Sequence, residues 1–352
     1  MRLKHEAIGI LLIALAVSCG GGPDEQATSG DAQAVAAQGQ DQLARWFARA
    51  SPEVLALPDT VLAYIDEAGG RLVFGIEHAR AEPAARAALA RLGIPDTAFT
   101  IEETEPIYQL VTLRDKWRPT INGVQIHFGG YLCSLGFNAD HGGDRSFVTA
   151  SHCTGKQGAV EGTRYYQPTS TVDSTVIATE VEDPTYFRGA PCPRGRKCRY
   201  SDSSRALYST AVASSRGAIA RTSGPNNGSL TVTGSFSITS QDNATSSFAV
   251  GTTVNKVGRT TGWTQGNVTA TCADTNVSGS NITLLCQTLV QNPNGAVVVQ
   301  GGDSGSGVFQ LTGASTARLV GILWGGNGTG TRFVFSPLKQ VEDELGALVT
   351  TQ

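Results

Sequence analysis

Hydrophobic and polar positions follow three different rhythms along this chain. Residues Ala7 to Val17 form an unbroken apolar run behind Arg2 and Lys4. A bilayer takes about 20 apolar residues to cross, so this run has the length and flanks of a signal peptide h-region, not of a membrane span. After a polar stretch, Asp41 to Leu55 (DQLARWFARASPEVL) repeats its apolar residues at helical spacing. Arg71 to Ala79 then reads as a strand, Glu82 to Ile94 as a helix closed by Gly93, and Phe99 to Ile107 as a second strand. From about Arg118 the rhythm changes again, to short Val, Thr, Ile and Phe stretches cut by Gly, Asn and Ser. That pattern predicts an all-β sandwich or barrel. An amphipathic stretch, Ser336 to Val349, predicts a terminal helix packed on it. The expected organisation is a signal over 1–19, a flexible linker over 20–40, a small α+β (β-α-β) domain over 41–117 and an all-β domain over 118–352.

Composition narrows the function classes. Of 352 residues, 40% are hydrophobic and 16% charged, with a net charge of −3; this is globular composition with no basic field for nucleic acid. The chain is read as exported, a setting in which disulfides persist. Seven cysteines leave one over. Cys19 ends the apolar run and precedes GGGPDEQATSGD, an arrangement that resembles a bacterial lipoprotein signal, although Ala16 departs from the usual Leu, Ile or Val. Lipidation of Cys19 would place the protein in the bacterial cell envelope, anchored to a membrane through the lipid; without it the protein is secreted. The other six fall into three close pairs, Cys133 with Cys153, Cys192 with Cys198 and Cys272 with Cys286. Neighbour pairing is the expectation, among the 15 connectivities that six cysteines allow.

Candidate chemistry gathers around Ser304, in Val299 to Val308 (VQGGDSGSGV). A serine hydroxyl needs an adjacent base, and that base needs an orienting carboxylate. The all-β part holds three histidines, His127, His141 and His152, and His152 sits in SFVTASHCTG at the end of an apolar strand. Of the aspartates between His152 and Ser304, Asp202 precedes a small, apolar stretch that can carry it inward, and Asp173 is the runner-up. Asp303 adjoins Ser304, so the two side chains do not readily meet on one imidazole. Nucleophile-elbow esterases and GDSL-type lipases place their histidine after the serine, whereas no histidine follows His152. No H-E-x-x-H motif occurs, and neither a metal nor another cofactor is expected.

The order His, Asp, Ser, with TASHC, KVGRTTG (Lys256 to Gly262), GGDSGSG and GILWGG (Gly321 to Gly326) in register, resembles the chymotrypsin-like serine proteases. The likeness is to the bacterial secreted branch typified by streptogrisins and alpha-lytic protease. It implies a two-barrel fold with a C-terminal helix and an endopeptidase acting on protein or peptide substrates. Ser304 would be the nucleophile, His152 the general base and then acid, and Asp202 the orienting carboxylate. The N–H groups of Gly302 and Ser304 would form the oxyanion hole. Asp303 would pair with Arg259 in a buried ion pair. Val298, Val299, Trp324 and Gly325 would shape a pocket that prefers an apolar or aromatic residue before the scissile bond. Leu323 stands where the family usually has a serine that supports the catalytic aspartate, so that support has to come from elsewhere. The α+β segment resembles a pro-region that templates folding, with cleavage near Lys116 to Arg118. The rival reading is a catalytically inactive, surface-anchored binding protein on the same fold.

Overall fold

The structure is a computed structural model, and it describes residues 29–107, 110–242 and 249–352. The signal, Cys19 and the first part of the linker lie outside the described residues. Among those described, no helix is long and apolar enough to cross a membrane. The chain divides into two compact units, with the division after Ile107.

In the first unit, helix α1 (Ser29–Leu55) precedes strands β1 (Thr60–Asp66) and β2 (Arg71–Ile76), helix α2 (Glu82–Arg91) and strand β3 (Phe99–Glu103). β2 and β3 run parallel around α2, and β1 adds an antiparallel neighbour to β2. Leu72, Phe74, Ala85, Leu89 and Phe99 pack together with Ala50 and Val54 of α1. The expected β-α-β unit is present, extended by β1. One expectation is corrected: the stretch from Ser29 to Gln40 is helix, not linker. Its Ala and Gln residues are good helix formers, and they continue into the amphipathic part that follows.

The second unit opens with β4 (Thr120–Asn122), β5 (Gln125–Phe128), β6 (Tyr131–Ser134), β7 (Phe137–His141), β8 (Asp144–Thr149), β9 (Arg164–Tyr165), β10 (Ala178–Glu182), β11 (Lys197–Arg199) and β12 (Ser204–Tyr208). It continues with β13 (Ser214–Thr222), β14 (Val232–Gln241), β15 (Thr253–Gly258), β16 (Gly262–Asn276), β17 (Ile282–Gln291), β18 (Gly307–Leu311), β19 (Thr316–Gly326), β20 (Arg332–Pro337) and helix α3 (Leu338–Leu345). The sheet β7-β8-β12-β10-β9 rolls with the β5–β6 hairpin around Phe137, Phe147, Tyr165, Ile177 and Ala206. The hairpin joins it through the mutual backbone bonds of His127 and Tyr166, both 2.9 Å. In the second half, β17-β16-β15-β18-β19 is closed by β20, which pairs with both β17 and β19. Closure leaves no free edge in this ring, and its interior holds Val254, Val268, Val290, Val308, Phe333 and Phe335. This is the two-barrel chymotrypsin-like fold with its C-terminal helix.

The division after Ile107 moves the expected boundary at Arg118. Leu113 is fully buried in the core of the second unit. Its N–H donates to Leu230 O at 3.0 Å, and Val232 N donates to Val111 O at 2.8 Å. The segment 111–117 has no strand or helix period of its own to signal on which side of a boundary it packs, and it is built into the β unit through Leu113 and Trp117.

Candidate active site

Each barrel supplies part of one site. β8 ends at Thr149 and leads into a single turn, Ser151–Cys153, that presents His152. Asp202 lies in the short loop between β11 and β12, and Ser304 in the turn before β18. The two halves meet through close backbone packing. Ser134 N donates to Ser304 O at 2.9 Å, and Ser134 O accepts from Thr149 Oγ1 at 3.0 Å. Gly305 follows Ser304 with φ +84°, and a Cβ there would lie 2.1 Å from Thr149 Oγ1 and 3.1 Å from Ala150 N. Only glycine lets the serine turn sit this close to the strand end that carries His152. The Cys133–Cys153 disulfide fastens the same strand end, and the other two bridges are Cys192–Cys198 and Cys272–Cys286.

The expected base and its expected orienter, His152 and Asp202, are in contact. His152 Nδ1 and Asp202 Oδ2 are 2.5 Å apart, with the aspartate 1% exposed and the histidine side chain 33% exposed. Asp202 Oδ1 accepts from His152 N at 3.2 Å and from Gln157 Nε2 at 3.1 Å, and Asp202 N donates to Ser336 Oγ at 3.0 Å. Burial pulls the His152 pKa down, but the charge and hydrogen bond of Asp202 more than offset it and leave it raised. Burial pushes Asp202 up, while His152, Arg199 and Gln157 together hold it below its ordinary value. No hydrogen bond joins His152 to Ser304 among the described residues; in free enzymes such contacts are often long and tighten around substrate.

The other candidates are engaged elsewhere. Asp173 is held well below the carboxylate range by Lys116, with Thr175 and Arg118 also on it. Asp183 binds Arg199 at 2.7 Å, Asp242 binds Arg318 at 2.7 Å, and Asp274 accepts from Cys286 N at 2.9 Å. His141 Nδ1 meets Ala347 O at 3.1 Å, and His127 faces Tyr166 and Ser170.

At the serine turn, Gly302 has φ +96°, a conformation that costs other residues strain. A Cβ at that position would lie 2.7 Å from both Arg259 Nη1 and Thr260 Oγ1. The N–H groups of Gly302 and Ser304 have no acceptor among the described residues, while Asp303 N donates to Gln300 O at 3.0 Å and Gly305 N to Leu323 O at 2.8 Å. Two free donors flanking the serine are what a developing oxyanion requires. Beside them is a cleft of about 160 Å³ lined by Val299, Gln300, Leu323, Gly325 and Gly326 together with Ser304. Val298 is not on its surface: the side chain is fully buried in the second barrel's core, and its carbonyl accepts from Thr264 Oγ1 at 2.8 Å. Trp324 faces a neighbouring cleft instead, with His152, Gln157 and Val277, and its indole N–H donates to Gln287 Oε1 at 2.8 Å.

The Asp303 pairing differs from expectation. Its cation is Lys256, with Nζ at 3.2 Å and both side chains fully buried. Asp303 also accepts from Thr260 N (2.9 Å), Thr261 N (3.1 Å), Thr261 Oγ1 (2.7 Å) and Gln300 N (2.9 Å). Lys256 further donates to Thr261 Oγ1 and to Gly262 O. Burial lowers the Lys256 pKa against the opposing effect of Asp303. Arg259, past the end of β15, is turned away: its Nε donates to Gln125 Oε1 at 2.7 Å and its Nη1 to Thr260 Oγ1 at 3.1 Å. The physical reason is position. Lys256 points into the barrel from within a strand, whereas Arg259 sits on the turn beyond Gly258. A lone lysine in the otherwise uncharged strand TVNKVG was the available signal.

Sequence reasoning also missed a buried charge cluster behind Asp202. Arg199, 1% exposed, donates to Asp183 (2.7 Å), to Ser151 Oγ (3.1 Å), to Ser203 O (2.8 Å) and to Glu344 of α3 (3.1 Å). Glu344 accepts from Ser201 Oγ at 2.6 Å and Tyr200 N at 2.8 Å. The neighbours of both His152 and Asp202 are thus fixed to one set of charges.

A family profile described as the Nal1 C-terminal domain matches residues 231–348, the stretch that holds most of the second barrel and α3. No curated protein matches the chain. Among solved structures, Thermobifida fusca Protease A is 25% identical, covering 66% of this chain and 98% of its own, with a TM-score of 0.46. A glutamic acid specific serine protease is 26% identical, covering 65% and 100%, with a TM-score of 0.46. Nocardiopsis Protease is 21% identical, covering 66% and 98%, with a TM-score of 0.47.

Two outcomes follow. Lys256→Met leaves Asp303 buried without its cation and is expected to cost about 3–5 kcal/mol of unfolding free energy in urea. Arg259→Ala, which leaves that pair intact, is expected to cost less than half as much; equal losses would return the ion pair to Arg259. Because His152 has to be unprotonated to act as a base and its pKa is raised, kcat/KM is expected to rise with pH through a value above the ordinary histidine range near 6.5. A pH profile whose acid limb lies below that range contradicts the assigned pairing.

Proposed function

We propose that this protein is an exported serine endopeptidase that cleaves peptide bonds through an acyl-enzyme. Ser304 attacks, His152 takes and returns the proton, Asp202 holds the imidazole in one orientation, and the free N–H groups of Gly302 and Ser304 receive the oxyanion. The observation that carries the reading is the buried Asp202 carboxylate on His152 Nδ1, with the serine turn packed by Gly305 against the same strand end. Gln157 supplies support for Asp202 that Leu323 cannot give. His152 gives the serine's proton to the leaving amine, and a water molecule deprotonated by His152 then releases the acyl group and restores Ser304.

The pocket reading is sharpened in size. The cleft beside Ser304 is small, its walls are Val299, Leu323 and glycines together with the amides of Gln300 and Asn327, and no charged side chain lines it. Val299 Cγ1 fills the space where a Cβ on Gly326 would lie, 2.4 Å away. A small aliphatic residue before the scissile bond suits it better than an aromatic one.

Residues 41–107 serve, in this reading, as a pro-region, useful because the long-range pairing of a two-barrel fold forms slowly. Cleavage at Lys116 to Arg118 would cut a segment in which both cations bind Asp173 at 2.9 Å and Trp117 Nε1 donates to Thr112 O at 2.9 Å. Maturation is therefore assigned upstream of Val111. Three disulfides suit an oxidising compartment, and a lipid on Cys19 would tether the pro-region end.

The test is hydrolysis of peptides that differ only in the residue before the scissile bond. Ala or Val peptides are expected to be cleaved faster than Phe peptides, with Val299→Ala shifting the preference toward larger side chains by about 10–200-fold per added group at most. Asp202→Asn is expected to lower kcat by about 10⁴, and Asp173→Asn to leave it near the parent value. The reverse ranking of the two aspartates would sink the triad.

A further inference from the structure

We propose that the disulfide-closed loop Arg188–Lys197 binds an acidic peptide segment, engaging substrates that extend past the cleft at His152. The substrate half of this inference rests on the peptidase reading; the binding half does not.

The loop stands out in charge. Between Phe187 and Cys198 the chain carries Arg188, Arg194, Arg196 and Lys197 and no acidic residue, in a protein whose net charge is −3. Arg188 and Arg194 are exposed. None of the four cations has a carboxylate within 4.0 Å among the described residues. The acidic groups adjoining the loop's end are taken: Asp183 and Glu344 by Arg199, Asp202 by His152.

The loop is also shaped before any ligand arrives. Cys192–Cys198 closes it, and Phe187 and Cys198 exchange backbone bonds of 3.0 and 2.9 Å across its base. Turn bonds from Cys192 N to Gly189 O (2.7 Å) and Arg196 N to Pro193 O (3.1 Å) fix its interior. The result is a depression of about 440 Å³ walled by Arg188, Pro191, Arg194 and Arg196. A preformed site spends little ordering entropy on binding, and guanidinium groups match carboxylates in two-point geometry.

The cations divide their tasks. Arg196 staples the loop to the tip of the β16–β17 hairpin through Thr283 Oγ1, Ile282 O and Ser280 O. Lys197 N donates to Asn281 O at 3.0 Å, and its ammonium lies 4.4 Å from the centre of the Tyr186 ring. Arg188 spends one N–H on Arg196 O at 3.4 Å, and Arg194 spends none among the described residues. These last two face outward and are available to a ligand. On the other side of the hairpin tip, Thr275, Asn276, Val277 and Ser278 line the cleft that holds His152 and Trp324. In this proposal a peptide leaving that cleft crosses the hairpin to Arg188 and Arg194.

The experiment uses the full chain with Ser304→Ala, so that bound peptide is not consumed. Fluorescence anisotropy compares a labelled peptide carrying four glutamates with its glutamine counterpart, at ~20 mM and ~200 mM NaCl, concentrations chosen to straddle strong and weak screening. The glutamate peptide is expected to bind about tenfold more tightly at low salt, with the difference collapsing at high salt and in Arg188→Gln/Arg194→Gln. Melting temperatures of both proteins establish that each is folded. Equal affinity for the two peptides, or a preference untouched by the double replacement, overturns the site. Binding of the acidic peptide by Ser304→Ala, in a protein whose parent cleaves no peptide, supports the site and removes the peptidase reading. Cleavage by the parent, with no acidic preference in binding, does the opposite.

Discussion

A carboxylate shut away from water has to be satisfied by whatever surrounds it, and the candidate site is organised around that demand at Asp202. With 1% of its side chain exposed, Asp202 is stable as an anion only while His152, Gln157 and the nearby Arg199 stabilise its charge. The same low-dielectric setting strengthens the hydrogen bond to His152 Nδ1, which raises the basicity of the imidazole and fixes its orientation. Orientation and proton affinity therefore have one origin.

The remainder of the fold serves to hold that pair and to bring the serine to it. Arg199 ties Ser151, Ser203, Asp183 and Glu344 together, so the terminal helix, the loop carrying Asp202 and the turn carrying His152 are joined by one buried charge. Across the barrel interface, Gly305 admits the serine turn against β8, and the buried Asp303–Lys256 pair clamps that turn to the Thr260–Thr261 backbone. Partly paired buried charges are destabilising, and both clusters are satisfied by several donors. That completeness makes them anchors.

Much of this was legible from residues alone. The three histidines of the β domain, the order His152, Asp202, Ser304 and the close cysteine pairs pointed to the candidate site and to the three bridges the structure contains, because nucleophilic chemistry and disulfide geometry restrict residue types and spacing strongly. The short Val, Thr and Gly-punctuated stretches announced the β fold for the same reason: period and turn chemistry are local. What was illegible depended on side-chain direction and on long-range closure. Whether Lys256 or Arg259 reaches Asp303 turns on which one lies inside the strand; whether Val298 or Val299 faces the cleft turns on strand phase; and whether 111–117 packs with the β unit turns on contacts to Leu230 and Val232, more than a hundred residues away. Gln157 supporting Asp202 from a loop has no local signature at all.

The central claim is that Ser304 is a nucleophile activated by His152. Treatment of the matured protein with a fluorophosphonate, followed by peptide mass spectrometry, tests it most directly. The account predicts a single phosphonyl adduct on Ser304, formed rapidly in the parent protein and strongly slowed in His152→Ala. An unmodified Ser304 in folded, matured protein, or labelling that ignores His152, would contradict it.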